Sequence, residues 1–299
     1  MNVTMRRCAL PVLTMLALTG GAAVAGPTVS AWDGDARGAV RLIGGGATAD
    51  APSTVAGVEI RLGDGWKTYW RYPGDSGVPP RFDFSRSVNV KSATVRYPAP
   101  HRFADGGGTS IGYKGGVIFP VAVARDDATQ AATLAVEVDY AVCERLCVPK
   151  TGTATLVLPA ESAAAPTAPA TGAMSPATNG SSLGGLAGAV ARLPRPARVG
   201  DAGDFSVRAV HREGEWPTPR LVVDVAAPAG TEVDLFAEGP TAAWALPVPN
   251  PAGSGPDGTH RFTFEVDGAP AGVDPRGATL TLTAVAGDRA IAVPVTLDP

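Results

Sequence analysis

Short runs in which hydrophobic and polar residues alternate recur along the chain, and this period of two predicts β-strands. Within residues 133–142, Leu134 and Val136 fall on one parity, whereas Glu137 and Asp139 fall on the other. Glycine, proline, asparagine and aspartate separate the runs, as turns require. In the first half of the chain the predicted strands span residues 39–43, 54–62, 66–71, 92–97, 117–124, 133–142 and 153–158. Strands this short and this regularly spaced are typical of a β-sandwich.

The same kind of pattern returns after residue 195 and predicts a second β-sandwich, which contains no cysteine. Its predicted strands span residues 205–210, 220–226, 232–236, 260–266, 279–286 and 290–296. The intervening segment is rich in alanine and proline, a composition typical of a flexible linker. We therefore predict an all-β chain with one sandwich at residues 26–160, a linker at 161–194 that favours one short helix near its end, and a second sandwich at 195–299.

The first 25 residues have the three regions of a secretory signal peptide. A basic start precedes the apolar stretch at residues 9–18, and Ala23-Val24-Ala25 is a cleavage motif. Cleavage before Gly26 would also remove Cys8 and leave two cysteines in an oxidising compartment. No other run approaches the roughly 18 apolar residues of a membrane-spanning helix. We therefore expect a secreted mature chain that does not insert into a membrane.

The two remaining cysteines, Cys143 and Cys147, follow the predicted strand at residues 133–142 and are separated by three residues. In one continuous strand their Cα atoms would lie about 13 Å apart. A disulfide needs a Cα separation of roughly 4.4–6.8 Å, so a bond between them requires the chain to turn. Because both flanks are strand-like, we favour a hairpin with the loop Glu144-Arg145-Leu146 over a single helical turn.

The residues alone leave three roles open for this pair. A structural staple is the first, although a disulfide that closes so short a loop gains little stability in the chain-entropy model. An exchange-prone redox pair is the second. A metal site is the third, and the scattered positions of His101, His211 and His260 disfavour zinc because they lack ligand spacing. We expect neither a metal nor a cofactor.

Charge and motif content argue against several other classes of protein. The formal net charge of the 299-residue chain is −3 and no basic cluster is present, so we expect no nucleic-acid partner. The sequence has no nucleophile elbow and no plausible serine–histidine–acid set, which disfavours hydrolytic chemistry. It also lacks a glycine-rich phosphate loop after a strand.

A series of motifs in the first half of the chain carries a family resemblance. The motifs occupy residues 65–83, 97–103, 112–114, 119–121 and 140–149. In this order they resemble the periplasmic N-terminal domain of the thiol:disulfide interchange protein DsbD, and more closely its relative ScsB, over roughly residues 35–160. The resemblance implies an immunoglobulin-like fold for the sandwich domains. It also implies that Cys143 and Cys147 shuttle between dithiol and disulfide, with Cys147 engaging the partner.

The resemblance further implies a route for electrons in the periplasm, from a membrane-embedded donor to thioredoxin-like partners. The chain departs from DsbD in its closer cysteine spacing and in ending at Pro299 without a membrane domain or a thioredoxin domain. We therefore expect the donor to be a separate protein and interpret the chain as a periplasmic thiol–disulfide exchange protein. Two other hypotheses remain, a non-catalytic two-domain interaction protein with a structural disulfide and a copper-tolerance protein that binds Cu(I).

Four more residues are candidates for the site. By resemblance, the glycine-rich segment at residues 103–110 takes the place of a cap loop whose aromatic tip covers the cysteines, with Phe103 as the tip and Asp105 beside it. The alternative is a plain hairpin loop with Phe103 in the core. Tyr113 and Tyr140 are candidates for lining the cysteine pocket, with core packing as their alternative.

The segment at residues 71–81, rich in proline and glycine, is the second loop of interest in this domain. We predict a rigid surface turn there, with a purely structural role and a partner contact as equal alternatives.

Overall fold

The computed structural model describes residues 29–47, 54–75, 77–105, 108–160 and 185–298. The predicted signal peptide and most of the predicted linker lie outside the described residues. No helix in the described ranges is long and apolar enough to cross a membrane.

The first half of the chain forms two antiparallel sheets. Its strands are β1 (Asp33–Gly34), β2 (Gly38–Ala47), β3 (Thr54–Leu62), β4 (Lys67–Gly74), β5 (Arg81–Asp83), β6 (Ser92–Val95), β7 (His101–Asp105), β8 (Gly108–Lys114), β9 (Gly116–Ala124), β10 (Ala132–Cys143) and β11 (Cys147–Leu158). One sheet has the order β1-β2-β3-β9-β6. The other has the order β11-β10-β4-β8-β7, with β5 paired to β10.

The hydrophobic and polar residues that alternate along β10 are alternately buried and more exposed in the structure. Leu134 and Val136 are buried in the core between the sheets, whereas Asp139 is exposed. The large side chains of Trp70 and Phe119 fill the same core. Each strand thus contributes one apolar face to the interior, as a half-buried sheet requires.

The second half begins with a short helix and continues as another pair of sheets. Its elements are α1 (Gly185–Ala191), β12 (Arg195–Pro196), β13 (Ser206–Glu213), β14 (Arg220–Ala226), β15 (Val233–Glu238), β16 (Asn250–Ser254), β17 (His260–Glu265), β18 (Thr279–Ala286) and β19 (Arg289–Thr296). The sheet orders are β12-β19-β18-β15 and β13-β14-β17-β16. The prediction of an all-β chain built from sandwich domains is confirmed.

Three local predictions differ from the structure. Most of the predicted cap loop at residues 103–110 belongs to the paired strands β7 and β8. Their pairing runs from His101 opposite Gly112 to Asp105 opposite Gly108. Strand β11 begins at Cys147, six residues earlier than predicted. Helix α1 lies within the predicted linker but packs on the first sandwich, where a Cβ on Gly57 would lie 2.9 Å from Leu186 Cδ1.

The two sandwiches contact each other through the sheet that carries the cysteines. Trp70 of β4 packs against Phe236 of β15, with ring centroids 5.8 Å apart. Arg102 of β7 donates to the carboxylate of Asp234, with its shortest hydrogen bond at 2.6 Å. The second sandwich therefore supports the sheet formed by β4, β5, β7, β8, β10 and β11.

Candidate redox site

The two cysteines end the strands of one hairpin and form a disulfide. Strands β10 and β11 pair without a register shift from Ala132 opposite Leu158 to Cys143 opposite Cys147. The Cα atoms of the two cysteines lie 4.1 Å apart, and the sulfurs are bonded. The chain thus turns through three residues between them, as the strand-like flanks predicted.

The two sulfurs differ in exposure. Cys143 is only 2% exposed and forms a small buried cluster with Tyr69 and Ala141. Cys147 begins β11 and is exposed. Because thiol–disulfide exchange requires a thiolate to reach a sulfur atom, an incoming thiol can reach the disulfide at Cys147.

Tyr69 of β4 holds the disulfide from the neighbouring strand. Its hydroxyl donates to Cys143 Sγ at 2.9 Å and lies 3.4 Å from Cys147 Sγ. Thr68 fastens β4 to β10 at the same level, since its hydroxyl donates to the carbonyl of Ala141 at 2.9 Å. The buried Lys67 faces Cys143 across the ladder. Strand β4 therefore supplies the polar surroundings of the buried sulfur.

Sequence reasoning missed Tyr69 as a site residue, although it lies within a motif that carried the family resemblance. Tyr69 and Lys67 share a parity in β4, so alternation places both on one face of the sheet. Tyr69 reaches the sulfurs because β4 lies next to β10 in the sheet. Local sequence patterns do not show which strands are neighbours.

This arrangement has a chemical consequence for disulfide opening. A disulfide sulfur is a weak acceptor, but the thiolate released when the bond breaks is charged, and hydrogen bonds to charged acceptors are roughly twice as strong as neutral ones. Tyr69 therefore stabilises the Cys143 thiolate more than it stabilises the disulfide. A better-stabilised thiolate is a better leaving group.

A shallow groove runs beside the exposed sulfur. It encloses about 550 Å³. The residues that line it are Val78, Pro79, Arg81, Asp139, Tyr140, Ala141, Cys147, Pro149, Lys150 and Thr151. One wall is the segment that follows β4, and the other wall is the start of β11. The groove is therefore open to a partner segment that approaches Cys147.

The proline- and glycine-rich segment predicted as a surface turn covers the tyrosine. A Cβ added to Gly77 would lie 2.5 Å from two carbons of the Tyr69 ring, so the backbone of Gly77 rests directly on that ring. The exposed side chain of Val78 follows. This segment, and not the predicted cap loop, packs on the ring of Tyr69.

The charges around the groove are mixed. Lys150 Nζ lies 2.9 Å from Asp35, and its hydrogen bond is the main cause that lowers the pKa of Asp35 to about 2. Asp139 accepts from the hydroxyl of Thr151. Leu146, at the tip of the cysteine hairpin, is 80% exposed. Apolar contact, rather than one sign of charge, therefore distinguishes the surface next to Cys147.

The structure does not bring Phe103 and Asp105 to the cysteines. Strand β7 is separated from β10 by β4 and β8, which corresponds to three strand spacings, or about 14 Å. The ring of Phe103 instead lies under Lys114 Nζ, at 4.7 Å from the centroid, and next to His101. Asp105 ends β7, opposite Gly108.

Tyr113 and Tyr140 both belong to the core between the sheets. The Tyr113 hydroxyl donates to the carbonyl of Pro98 at 2.9 Å, and burial raises its pKa well above the usual value. Tyr140 lines the groove beside Cys147, yet only 2% of the residue is exposed, and burial raises its pKa to about 12. Both hydroxyls therefore stay protonated at neutral pH.

Within the described ranges, the structure contains no group of three or more His, Cys, Asp or Glu side chains arranged to hold a metal ion.

The comparisons with known proteins concern both the cysteine domain and the whole fold. No curated protein matches the chain in sequence. Among solved structures, the chain is similar to the N-terminal periplasmic domain of ScsB from Proteus mirabilis, with a TM-score of 0.62 and 20% sequence identity. The match covers 91% of this chain and 98% of that one, and at this identity it shows a shared fold.

The family comparison covers the disulfide hairpin itself. Residues 46–159 match the family model described as the N-terminal part of the thiol:disulfide interchange protein DsbD. This range contains the hairpin with Cys143 and Cys147, together with Tyr69. Residues 46–159 therefore form a domain of the DsbD N-terminal family.

Proposed function

We propose that this protein relays reducing equivalents in the periplasm, from a membrane-embedded donor to thioredoxin-like partners, through the Cys143–Cys147 pair. The observation that carries the proposal is the asymmetry of the disulfide, in which Cys147 is exposed and Cys143 is buried under the Tyr69 hydroxyl. The likeness to a periplasmic ScsB domain supports the compartment.

The reduced pair transfers two electrons to a partner in two exchange steps. The Cys147 thiolate attacks one sulfur of the partner disulfide, forms a mixed disulfide and releases the other partner sulfur as a thiolate. The Cys143 thiolate then attacks Cys147 Sγ, which restores the Cys143–Cys147 bond and releases the first partner sulfur. The partner leaves as a dithiol after taking up protons, and this protein is oxidised.

Re-reduction reverses the same chemistry. A donor thiolate bonds to Cys147 Sγ, the disulfide breaks, and its electron pair remains on Cys143 Sγ as a thiolate. Tyr69 donates to that sulfur, and this contact favours the step because it stabilises the leaving group. The second donor thiol then attacks the mixed disulfide, so the donor ends as a disulfide and Cys147 is released as a thiolate.

A purely structural disulfide fits the hairpin less well. Strands β10 and β11 are already paired along their whole length, and the disulfide only closes a loop of three residues at their end. The entropic gain from such a short loop is small. Exposure of Cys147 at the surface also leaves the bond open to reducing thiols, which a staple would avoid.

The apolar surface around Cys147 suits contact with a partner protein. Leu146 precedes the reactive sulfur and is 80% exposed, and Val78 across the groove is 56% exposed. Burial of such side chains on complex formation is favourable, at about 25 cal/mol per Å² of apolar surface. We therefore assign Leu146 as a docking contact for the thioredoxin-like partner.

Replacing one cysteine at a time tests which sulfur engages the partner. Cys143→Ser leaves Cys147 free to attack and removes the residue that resolves the mixed disulfide. The partner is a purified periplasmic thioredoxin-fold protein whose second active-site cysteine is replaced by serine and whose first is activated as a mixed disulfide with thionitrobenzoate. Cys147 then displaces thionitrobenzoate, no partner thiol remains to reverse the step, and we expect a disulfide-linked complex on a non-reducing gel. Cys147→Ser is the matched control and should give no complex. Equal trapping by both variants, or trapping by neither, would contradict the proposal.

Removing the tyrosine hydroxyl tests its role in disulfide opening. Tyr69→Phe keeps the ring but loses the donor to Cys143 Sγ, and a hydrogen bond to a charged group contributes about 1.5–3 kcal/mol. We expect reduction by dithiothreitol, followed in stopped flow, to slow about ten-fold. Tyr97→Phe, which removes a hydroxyl that donates to the carbonyl of Pro80 and not to a sulfur, serves as control. A rate equal to that of the wild type would show that Tyr69 is only a packing residue.

Polar substitution at the hairpin tip tests the docking contact. Leu146→Ser should raise the KM for the thioredoxin-like partner about five- to ten-fold, since the complex no longer buries an apolar side chain. Reduction by dithiothreitol should keep its wild-type rate, because that small thiol needs no docking surface. Val88→Ser is the control, because Val88 is 65% exposed but remote from the cysteines in sequence. An unchanged KM for Leu146→Ser would exclude the contact.

A further inference from the structure

Strand β4 departs from regular pairing directly after the residue that contacts the disulfide. Its ladder with β8 runs up to Tyr69 and resumes only at Gly74, which pairs with Ser110. Residues 70–73 therefore lie opposite Ile111 alone and form a bulge of four residues. Bulges re-aim side chains and interrupt the backbone ladder. Tyr69 is the last residue before the bulge, so the ladder holds it on one side and the contacts of the bulged segment hold it on the other.

The second sandwich supplies two of those contacts. Trp70 is fully buried, and its ring centroid lies 5.8 Å from that of Phe236. Two nitrogens of the Arg71 guanidinium donate to the two carboxylate oxygens of Glu238, each at 2.6 Å. The Glu238 side chain is 14% exposed. A bidentate pair of this kind fixes the direction of an arginine as well as its position.

Tyr72 adds a third contact between the bulge and the second sandwich. Its hydroxyl donates to the backbone carbonyl of Leu246. Burial raises the pKa of Tyr72 to about 12, so the hydroxyl keeps the proton that it donates at neutral pH. Three consecutive residues after Tyr69 are therefore held by the second sandwich.

We propose that Glu238 is a positioning residue for disulfide exchange. By fixing Arg71 in the bulged segment, Glu238 keeps the preceding Tyr69 hydroxyl within hydrogen-bonding distance of Cys143 Sγ. The second sandwich thereby has a task in the reaction, although it contributes no side chain to the sulfurs. This inference rests on the proposed function, because it concerns the same disulfide.

The assisted step is the opening of the disulfide by an incoming thiolate. A new S–S bond forms at Cys147 Sγ, the Cys143–Cys147 bond breaks, and the electron pair stays on Cys143 Sγ. Tyr69 stabilises that developing thiolate only while its hydroxyl points at the sulfur. Small displacements of a catalytic group by remote substitutions slow reactions by as much as about 100-fold, so a loosened bulge is expected to reduce the rate.

Glu238→Gln in the full chain tests the proposal, because it removes the charge of the pair and keeps the side-chain size. We expect reduction by dithiothreitol to slow about three- to ten-fold. Asp224→Asn is the matched control. It breaks another bidentate pair in the second sandwich, in which Arg261 donates to Asp224 at 2.8 and 2.9 Å. Its reduction rate should equal that of the wild type.

A double substitution separates positioning from general destabilisation. If Glu238 acts through Tyr69, Glu238→Gln should cause no further slowing in a Tyr69→Phe background, since the two effects are then not additive. Arg71→Lys, which loses the bidentate geometry and keeps the charge, gives a milder variant if Glu238→Gln does not fold. It should slow reduction in the wild-type background and leave the rate unchanged in the Tyr69→Phe background.

Two results would overturn the positioning role. One is a wild-type rate for Glu238→Gln or Arg71→Lys, and the other is an equal slowing with and without the Tyr69 hydroxyl. Failure of the proposed function is distinguishable, because the reduction rate with dithiothreitol requires no partner protein. Glu238→Gln could slow reduction only when the Tyr69 hydroxyl is present, while the protein never forms a mixed disulfide with a thioredoxin-fold protein. That result would support the positioning role of Glu238 and exclude the relay.

Discussion

The register of the β10–β11 hairpin fixes the whole site, because a strand residue changes face with each step along the chain. The ladder runs unbroken to Cys143 opposite Cys147. A slip of one residue would turn the cysteine face of β10 toward the core. Leu134 and Val136, buried between the sheets, hold the register against such a slip. The hydrophobic core thus determines where the sulfurs lie.

Strand β4 connects this hairpin with the rest of the molecule. Its paired part places Tyr69 on the sulfurs, and its bulged part enters the contact with the second sandwich. Adjacent residues of a strand point to opposite faces, which explains how Tyr69 contacts the disulfide while Trp70 packs against Phe236. One strand therefore contacts both the disulfide, through Tyr69, and the second sandwich, through Trp70. The second sandwich holds β4 in place and contributes no described side chain that contacts the sulfurs.

Much of the fold follows from local sequence. The alternation in β10 and the strand-like flanks of the cysteines predicted a hairpin, and the structure has it. The paired strands at residues 101–105 and 108–114 were missed because the glycines of this stretch resemble those of a loop. Strands β7 and β8 instead pair up to Asp105 opposite Gly108, and Gly112 lies where a Cβ would come within 2.0 Å of the Thr68 carbonyl oxygen. Close packing of β8 on β4, and not mobility, requires that glycine.

The site was predicted less completely than the fold. The cysteines were found from their spacing, but Tyr69 lies 74 residues from Cys143 in sequence, and only the sheet order brings them together. Phe103 was expected over the disulfide, although the same order places its strand on the opposite side of β4 and β8. Alternation determines which face a residue occupies and leaves open which strands become neighbours.

The reduction potential of the Cys143–Cys147 pair distinguishes an electron relay from a structural disulfide. It is measured on the purified mature protein by equilibration with glutathione buffers of known composition. A value between those of thioredoxin-like reductants and periplasmic oxidants, about −270 to −120 mV, is predicted for an electron relay. A value below about −300 mV is typical of a structural disulfide and would exclude the relay.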